Sequence, residues 1–363
     1  ASHRAVEQAA RDLLGQQIAV CHTQWRLCVR LLRHGFPAVF LAGKRPSGAS
    51  ALANEGGLTQ ELGMDLWIYV TLAAAAFQTL RFMLQKQMSL GTLSAAGATF
   101  ARFFYSAPLI AVLLLGYLNL TAQSLPALSL AFWVYGAVGG LTQILATVCV
   151  VLLFKQRNFA VGITFKKSEV ILIVVVSTIV LGESVSWLGL GAILLGVAGL
   201  FLLSSAPKEH PFRLRDLANK AAGLGLGSGL LFAVSGVCYR GASLELPLED
   251  PLARAAITLS AVTAMQLLAM ALWLRLREQG EITAVWQARR VAGWIGIFSM
   301  AGSFCWFTAF TLQNAAYVKA LGQVELILSL MVTVIFFKEK ITRREILGIG
   351  VLAASVLLLV SAI

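Results

Sequence analysis

Residues 313–345 read QNAAYVKALGQVELILSLMVTVIFFKEKITRRE and hold the most informative pattern in the chain. The apolar run at 315–337 is long enough to cross a bilayer, yet it contains Lys319, Gln323 and Glu325. A charged side chain at the centre of a membrane helix costs roughly 2.5–3.5 kcal/mol on insertion scales. We therefore expect these side chains to face other helices or a water-filled cavity, which makes this segment the first candidate for function.

The same pattern occurs earlier in the chain, displaced by 156 positions. Residues 156–183 read QRNFAVGITFKKSEVILIVVVSTIVLGE. Polar residues keep their separations in the two copies: Asn158 and Asn314, Glu169 and Glu325, Glu183 and Glu339. Because few polar residues occur in apolar segments, these matches indicate an internal duplication of the chain.

Composition places the chain among membrane proteins. Hydrophobic residues make up 58% of the sequence and charged residues 13%, against about 45–50% and about 25% in typical soluble domains. The net charge of +12 comes largely from Lys and Arg between apolar runs, where such residues orient helices in a bilayer. We expect no nucleic-acid partner, because no basic region stands apart from the apolar runs.

Residues 1–64 differ from the rest of the chain. Apolar residues recur at helical spacing between Leu14 and Leu32, with arginines on the other side. This pattern predicts an amphipathic helix on an anionic membrane surface, while a dispensable extension is the alternative. Residues 43–63 are typical of a flexible linker. The Cys and His residues of this region fit no zinc spacing, so we expect no metal site.

Ten apolar spans follow, and they predict an all-α membrane protein with ten transmembrane helices in two five-helix repeats. The spans run approximately 65–86, 94–117, 128–154, 158–181, 185–204, 219–241, 251–274, 289–312, 315–337 and 342–362. A polar connecting loop at 205–218 separates a first repeat, 65–204, from a second repeat, 219–363. Arg102 and Arg254 occur in similar contexts, ATFARFF and PLARAAI, which extends the duplication to all five helices. Because five is odd, we expect the two repeats to be inverted, as in many secondary transporters.

The distribution of basic residues predicts the orientation of these spans. Lys and Arg concentrate in alternate connections: 155–157, 208–220, 275–290 and 338–344. The positive-inside rule places these connections in the cytoplasm and both ends of the ten-span core outside.

The chain from 65 to 363 resembles the drug/metabolite transporter superfamily, specifically its EamA-type members with ten spans. The resemblance rests on the fourth and ninth spans, where a mid-membrane Glu precedes an apolar run that ends in a polar cluster with Glu183 or Glu339. It implies an exporter or exchanger of small metabolites, with a central cavity lined by the third, fourth, eighth and ninth spans. Family members often carry Pro after the mid-span Glu. This chain has Val170 and Leu326 there, so its sequence gives no signal for a helix break.

The candidate substrate-binding residues lie mainly on the fourth and ninth spans. Lys166 and Glu169 are three residues apart and share a helix face, so they can neutralise each other. Lys319 and Gln323 are four apart and share a face in the other copy. Glu325 lies away from Lys319 on its helix, so we expect it to meet a group on a neighbouring span.

Charge counting gives a hypothesis about the substrate. With Lys167, the lysines of the two spans outnumber their glutamates by one, and the surplus charge would attract a carboxylate such as that of an amino acid or organic acid. The alternative is a set of structural ion pairs that holds the repeats together. Gln143, Ser303 and Trp306 are further candidates for the site, whereas Arg102 near a helix start is expected to extend to the membrane interface.

Together these patterns predict a secondary transporter, an exporter or exchanger of a small polar metabolite, that works by alternating access. Efflux of cationic compounds by the same fold is an alternative, and a membrane-embedded lipid-modifying enzyme or a scaffold subunit is an alternative of another class. We expect no catalytic residues and no cofactor. Protonation of Glu169 or Glu325 is one means of coupling, and pure exchange is the other. The expected partners are the substrate and the lipid bilayer, with the chain a monomer or homodimer in a bacterial inner (cell) membrane.

Overall fold

The computed structural model describes residues 55–89, 93–122, 124–154, 156, 159–203, 220–337 and 342–362. Within these ranges every regular element is an α-helix, which confirms the all-α class. The predicted surface helix before residue 33 and the connecting loop at 205–218 lie outside the described residues.

Thirteen helices occupy the described ranges. They are α1 (Glu55–Ser89), α2 (Ala95–Thr121), α3 (Leu130–Phe154), α4 (Phe159–Lys166), α5 (Glu169–Leu181), α6 (Trp187–Leu203), α7 (Lys220–Leu244), α8 (Pro251–Arg277), α9 (Glu281–Gln287), α10 (Arg289–Leu312), α11 (Ala315–Leu321), α12 (Val324–Phe337) and α13 (Arg343–Ser361). The short helix α9, between the predicted seventh and eighth spans, has no counterpart among the sequence predictions.

The boundary predicted at residue 64 is wrong for the last part of the linker. Helix α1 begins at Glu55 and continues without a break into the first apolar span. The adjacent glycines 56 and 57 favoured a linker, but no proline interrupts 55–65.

The predicted fourth and ninth spans are each divided into two helices. The fourth is α4 and α5, separated at Lys167 and Ser168, and the ninth is α11 and α12, separated at Gly322 and Gln323. Tight turns bridge both gaps: the Lys167 amide bonds to the Thr164 carbonyl at 3.2 Å, and the Gln323 amide to that of Ala320 at 3.2 Å. The breaks therefore form without proline, which the absence of Pro after the glutamates did not predict.

Three helix starts in the first half of the chain have counterparts in the second half. Helices α2 and α8 begin at Ala95 and Pro251, α4 and α11 at Phe159 and Ala315, and α6 and α13 at Trp187 and Arg343. Each of these pairs of starts is 156 residues apart, the interval found from the sequence. The starts of the second, fourth and fifth predicted spans thus keep the interval that the fourth and ninth spans showed in the sequence.

This register shows that pairing Arg102 with Arg254 was wrong. Arg254 lies in the first turn of α8, and its guanidinium donates to the carbonyls of Ser243 (2.9 Å) and Leu244 (3.0 Å) at the end of α7. Arg102 lies two turns into α2 and is only 4% exposed. The similarity of their local sequences reflects the Ala-rich composition of both helices rather than equivalent positions.

Helices of each half pack on helices of the other half. Helix α3 packs on α7 and α8, while its counterpart α10 packs on α1 and α2. The divided helix α4–α5 packs on α7, and α11–α12 packs on α1. Helices α2 and α8 contact each other, as do α6 and α13.

Glycines bring α7 close to the divided helix α4–α5. Gly225 lies directly against the backbone of Gly162, and a Cβ on Gly229 would lie 2.9 Å from the Lys166 carbonyl oxygen at the break. Neither position leaves room for a side chain, and small residues at such contacts allow helix backbones to approach closely.

Six described helices are long and apolar enough to cross a membrane: α2, α3, α7, α8, α10 and α13. The apolar stretches Leu66–Phe82 of α1 and Trp187–Leu203 are shorter. Many large apolar side chains face outward, among them Val112 (70% exposed), Ile179 (76%) and Leu357 (72%). Water-soluble proteins rarely expose apolar surface on this scale. The chain is therefore an integral, multi-pass membrane protein.

Candidate functional site

A polar cavity lies inside the bundle, between helices of both halves. Its polar lining comes from α1, α2, α3, α7, α10 and α11: Gln78, Arg81, Arg102, Gln143, Ser235, Tyr239, Ser299, Ser303, Trp306 and Lys319. Phe232, Phe298, Phe307 and Phe310 supply aromatic wall. The sequence resemblance implied a lining from the third, fourth, eighth and ninth spans. Among the described residues, the fourth span contributes no lining side chain, whereas α1, α2 and α7 contribute several.

The cavity is narrow in this conformation. The space between its lining atoms, including the part open to solvent, is about 470 Å³, but only about 30 Å³ accommodates the centre of a water-sized molecule. One water needs roughly 10–15 Å³ by that measure, so there is space for about two. A smaller space of about 240 Å³ shares Arg102, Gln143 and Ser303 as lining residues. A metabolite can therefore enter only if the surrounding helices move apart.

Two arginines lie deep in the cavity wall. Arg81 of α1 and Arg102 of α2 are each only 4% exposed. The Arg102 Nη2 donates to the Ser303 hydroxyl at 3.0 Å, and its Nη1 lies 3.5 Å from the Thr147 hydroxyl. The Arg81 guanidinium lies 4.4 Å from the ring centroid of Phe82. Among the described residues, neither arginine has a carboxylate within ion-pair distance, and Arg81 donates no hydrogen bond.

An ionic cluster joins the two divided helices beside the cavity. The Lys319 Nζ of α11 lies 2.7 Å from the Glu169 Oε1 at the start of α5, and the Lys166 Nζ at the end of α4 lies 3.7 Å from the Oε2. Lys319 also lies over the ring of Trp306, 4.5 Å from its centroid. One carboxylate thus holds two ammonium groups, one from each half of the chain.

Glu325, which the duplication aligns with Glu169, has a different environment. Its Oε2 accepts a hydrogen bond of 2.6 Å from the Nε2 of Gln78 on α1. The Gln78 Oε1 in turn accepts one of 3.1 Å from the indole of Trp306. Glu325 therefore contacts a neighbouring helix, and Gln78 links it by hydrogen bonds to Trp306 of the cavity wall. Gln323, in the break, donates its side-chain amide to the Lys319 carbonyl of α11 at 3.2 Å.

A neutral hydrogen-bond network forms another part of the wall. The Gln143 Oε1 accepts from the Tyr239 hydroxyl (2.9 Å) and from the Gln266 amide (2.9 Å). The Gln266 amide also donates to the Gly140 carbonyl at 3.0 Å. Helices α3, α7 and α8 are thereby joined through buried side chains, and mutually satisfied buried polar networks of this kind rigidify a core.

A further cluster lies where α7 and α10 end, next to Phe310 of the cavity wall. The Arg240 Nε contacts the Glu183 Oε1 at 2.6 Å. The Arg240 Nη1 donates to the carbonyls of Phe310 (2.6 Å) and Gln313 (2.8 Å). These bonds tie the end of α10 to α7 and to the turn after α5, so they close the bundle on this side of the cavity.

The predicted site residues fall into two groups. Lys319, Gln143, Ser303 and Trp306 line the cavity. Lys166, Glu169, Gln323 and Glu325 lie outside its lining, although the two glutamates contact groups that belong to it.

Sequence reasoning missed Gln78 and Arg81 and misplaced Arg102. Gln78, Arg81 and Gln85 follow each other at intervals of three and four residues, so they lie on one face of the first span and were a readable signal. Arg102 was expected at the membrane interface, but its side chain lies inside the bundle. With both arginines, the positive surplus of the region rises from one to three.

Comparison with known proteins agrees with the sequence resemblance. Residues 219–361 match the model of the EamA-like transporter family, almost the whole of the predicted second repeat. No curated protein matches the chain.

Twenty-six chains of solved structures are similar to this one. One of them, described only as "Crystal structure of protein", is 18% identical, with a TM-score of 0.55. The alignment covers 78% of this chain and 97% of that chain. At this identity the likeness shows the fold alone.

Proposed function

We propose that the protein is a secondary transporter that carries a small polar metabolite, such as an organic acid or amino acid, across the membrane. The premise is the EamA-like match of residues 219–361 in a multi-pass membrane protein. The observation that carries the proposal is the charged cavity, to which both halves of the chain contribute side chains. Burying charge around an enclosed space is expensive in a membrane protein and marks a solute pathway.

The architecture we propose is ten spans in two inverted five-helix repeats. The common interval of 156 residues between helix starts supports the repeat, and the exchange of packing partners between halves supports a two-fold relation. An odd number of spans in each repeat makes that relation an inversion. In this arrangement the two divided helices are equivalent, and both lie next to the cavity.

Alternating access would open the cavity to one side at a time. The Arg240–Glu183 cluster closes the side at which α7 ends. On the opposite side, the Ser94 hydroxyl bonds to Glu278 and the Tyr105 hydroxyl donates to the Val285 carbonyl at 3.0 Å. Both sets of contacts join the first half of the chain to the second, so each must break when its side opens.

The opposite side also carries most of the described basic residues near helix ends: Lys220, Arg275, Arg277, Arg289, Arg290, Arg343 and Arg344. This distribution supports a cytoplasmic location for that side by the positive-inside rule, with both ends of the ten-span core outside.

Efflux of cationic compounds is the less favoured alternative. The described residues that line the cavity include Arg81, Arg102 and Lys319 but no Asp or Glu. A cation in this space would meet three positive charges and no acidic lining residue. Coupling to protons through Glu169 or Glu325 and pure exchange of two solutes are both compatible with the site.

Counterflow in proteoliposomes tests the proposal. Purified protein, reconstituted with unlabelled solute inside, should take up the labelled form of at least one organic acid or amino acid faster than protein-free liposomes. Ser303→Leu places an apolar group in the cavity wall and should abolish uptake. Ser361→Leu makes the same exchange at an exposed position and should not.

Two outcomes contradict transport. One is a panel of acids, amino acids and cations in which no solute moves faster than in protein-free liposomes. The other is equal uptake by wild type and Ser303→Leu. Turnover of a lipid substrate without solute flux would favour a lipid-modifying enzyme, and absence of both would favour a scaffold subunit.

A further inference from the structure

The cavity wall contains more hydrogen-bond donors than the protein uses. Arg81 and Arg102 are buried, and no described carboxylate neutralises either. A buried charge without a partner is strongly unfavourable. Such an arrangement is stable in a working protein when a ligand supplies the missing charge.

Two serines of α10 add unused donors at the same place. The Ser299 hydroxyl is buried, with the residue 2% exposed, and it has no hydrogen-bond partner among the described residues. Ser303 lies one turn later on the same face and accepts from Arg102, while its own proton is donated to none of the described groups. Buried hydroxyls such as that of Ser299 are normally satisfied, so this hydroxyl and that of the part-buried Ser303 are available to a ligand in the cavity.

The lysines are less available than the arginines. Lys319 is engaged by Glu169 at 2.7 Å and by the face of Trp306. Lys166 contacts the same carboxylate and lies outside the cavity lining. A guanidinium presents a planar fork of donors that matches a carboxylate or phosphate better than an ammonium does.

The remainder of the wall constrains the rest of the ligand. Trp306 stacks on Phe310, with ring centroids 5.7 Å apart, and Tyr239 lies 4.4 Å from Phe307. These rings suit an apolar or aromatic body. Because no described lining residue is acidic, an ammonium group on that body would find no counter-charge.

From these contacts we infer that Arg81 and Arg102, with the hydroxyls of Ser299 and Ser303, bind the oxyanion of a small organic anion that carries no cationic group. The inference rests on the proposed transport function and narrows its substrate class from polar metabolites to organic acids or organic phosphates. Amino acids, which carry an ammonium group, are then poor substrates. The inferred anion site consists of the arginines of α1 and α2, whereas the sequence hypothesis placed it at the lysines of the divided helices.

A matched series of ligands tests the substrate class. Calorimetric titration of the protein in lipid nanodiscs would use 3-phenylpropionate, phenyl phosphate, phenylalanine and phenethylamine, which share a phenyl body and differ in charge. We expect 3-phenylpropionate or phenyl phosphate to bind, and whichever binds more tightly identifies the oxyanion. Phenylalanine should bind about 10- to 100-fold more weakly, because its ammonium group is buried without a partner. Equal or tighter binding of phenylalanine or phenethylamine, or no binding by either anion, overturns the inference.

Variants locate the site. Arg81→Gln and Arg102→Gln should each weaken binding of the anion about 10- to 100-fold, and Ser299→Ala about 3- to 10-fold. Arg275→Gln makes the same exchange at an exposed position at the end of α8 and should leave binding unchanged. Binding that is unaffected in both cavity variants overturns the inference.

Thermal unfolding without ligand separates binding from a structural role. Removing an unneutralised buried charge should leave the melting temperature of Arg81→Gln and Arg102→Gln unchanged or raised. Both variants should then lose the stabilisation that the anion gives to wild type. A large fall in melting temperature with that stabilisation intact would assign the arginines a structural role and overturn the inference.

The flux measurements keep the two proposals apart. If phenethylamine is transported and the anions are not, transport stands and the anion site is wrong. If the anions bind through the arginines but no solute moves, the site stands and the transport function is wrong.

Discussion

The two divided helices occupy equivalent positions in the repeat but hold their glutamates differently. Glu169 lies between two ammonium groups, one from each half of the chain. Glu325 accepts a hydrogen bond from the amide of Gln78 and has no ion pair among the described residues. In the proposed repeat, the two copies have thus diverged in their polar contacts. We interpret Glu169 as a structural link between the halves and Glu325 as a contact that can change without loss of stability. The predictions below test this contrast.

The largest loss of stability is expected from Glu169→Gln. Removing this buried carboxylate leaves Lys166 and Lys319, whose side chains are only 15% and 12% exposed, without their counter-charge. Breaking a buried ion pair typically costs about 3–5 kcal/mol. Chemical or thermal unfolding in detergent would measure the loss. A double-mutant cycle with Lys319→Met should show strong coupling, since removing both partners avoids the unpaired charge. Additive effects would contradict the role of Glu169 as a tie between halves.

Disrupting the packing of α7 on α4, the helix before the first break, should cause the next largest loss of stability. Gly225→Ala forces a Cβ against the backbone of Gly162, which cannot move aside as a flexible side chain can. Overpacking of this kind costs about 1–3 kcal/mol. Gly227→Ala on the same helix meets nothing within 4 Å and should be neutral or stabilising, because Ala is the better helix former. Equal melting temperatures for the two variants would show that α7 does not support the break.

Opening of the cavity should respond to Glu183→Gln. This change weakens a charged contact to Arg240, and a loss of about 1.4 kcal/mol shifts the balance of open and closed states tenfold. The measurement is the rate at which a water-soluble thiol reagent modifies Ser235→Cys, a cavity position, in a chain without its native cysteines. A rate equal to that with Glu183 intact would exclude this cluster as a closure.

Glu339, the counterpart of Glu183 in the second copy, lies outside the described residues. The same labelling experiment with Glu339→Gln asks whether the second copy closes the other side. An increase confined to reagent applied from that other side is the result expected for a two-fold arrangement.

The smallest effect on stability is expected from Glu325→Gln. The new amide retains an oxygen that can accept from Gln78, so the free energy of unfolding should change by less than about 1 kcal/mol. Uptake should lose its dependence on pH if Glu325 is the coupling carboxylate. Destabilisation as large as that of Glu169→Gln would contradict the proposed contrast.

The sequence predicted the helical class, the interval of the duplication and the polar segments near the cavity, because charges in apolar runs carry a strong signal. It failed where the signal depends on partners from distant helices. Nothing near Arg102 in the sequence distinguishes a side chain that reaches Ser303 from one that extends to the interface. The breaks before Glu169 and Glu325 were likewise not predicted, because they depend on tertiary contacts such as that between Gly229 and Lys166 rather than on proline.

The most direct test of alternating access around the cavity is a pair of distance measurements by electron paramagnetic resonance. Spin labels at Trp187 and Leu244 report on the side closed by Arg240, and labels at Leu152 and Leu276 report on the opposite side; all four positions are exposed. We predict that, on addition of a transported anion, one of the two distances lengthens while the other shortens or stays the same. Both distances remaining fixed, or both lengthening together, would contradict the account.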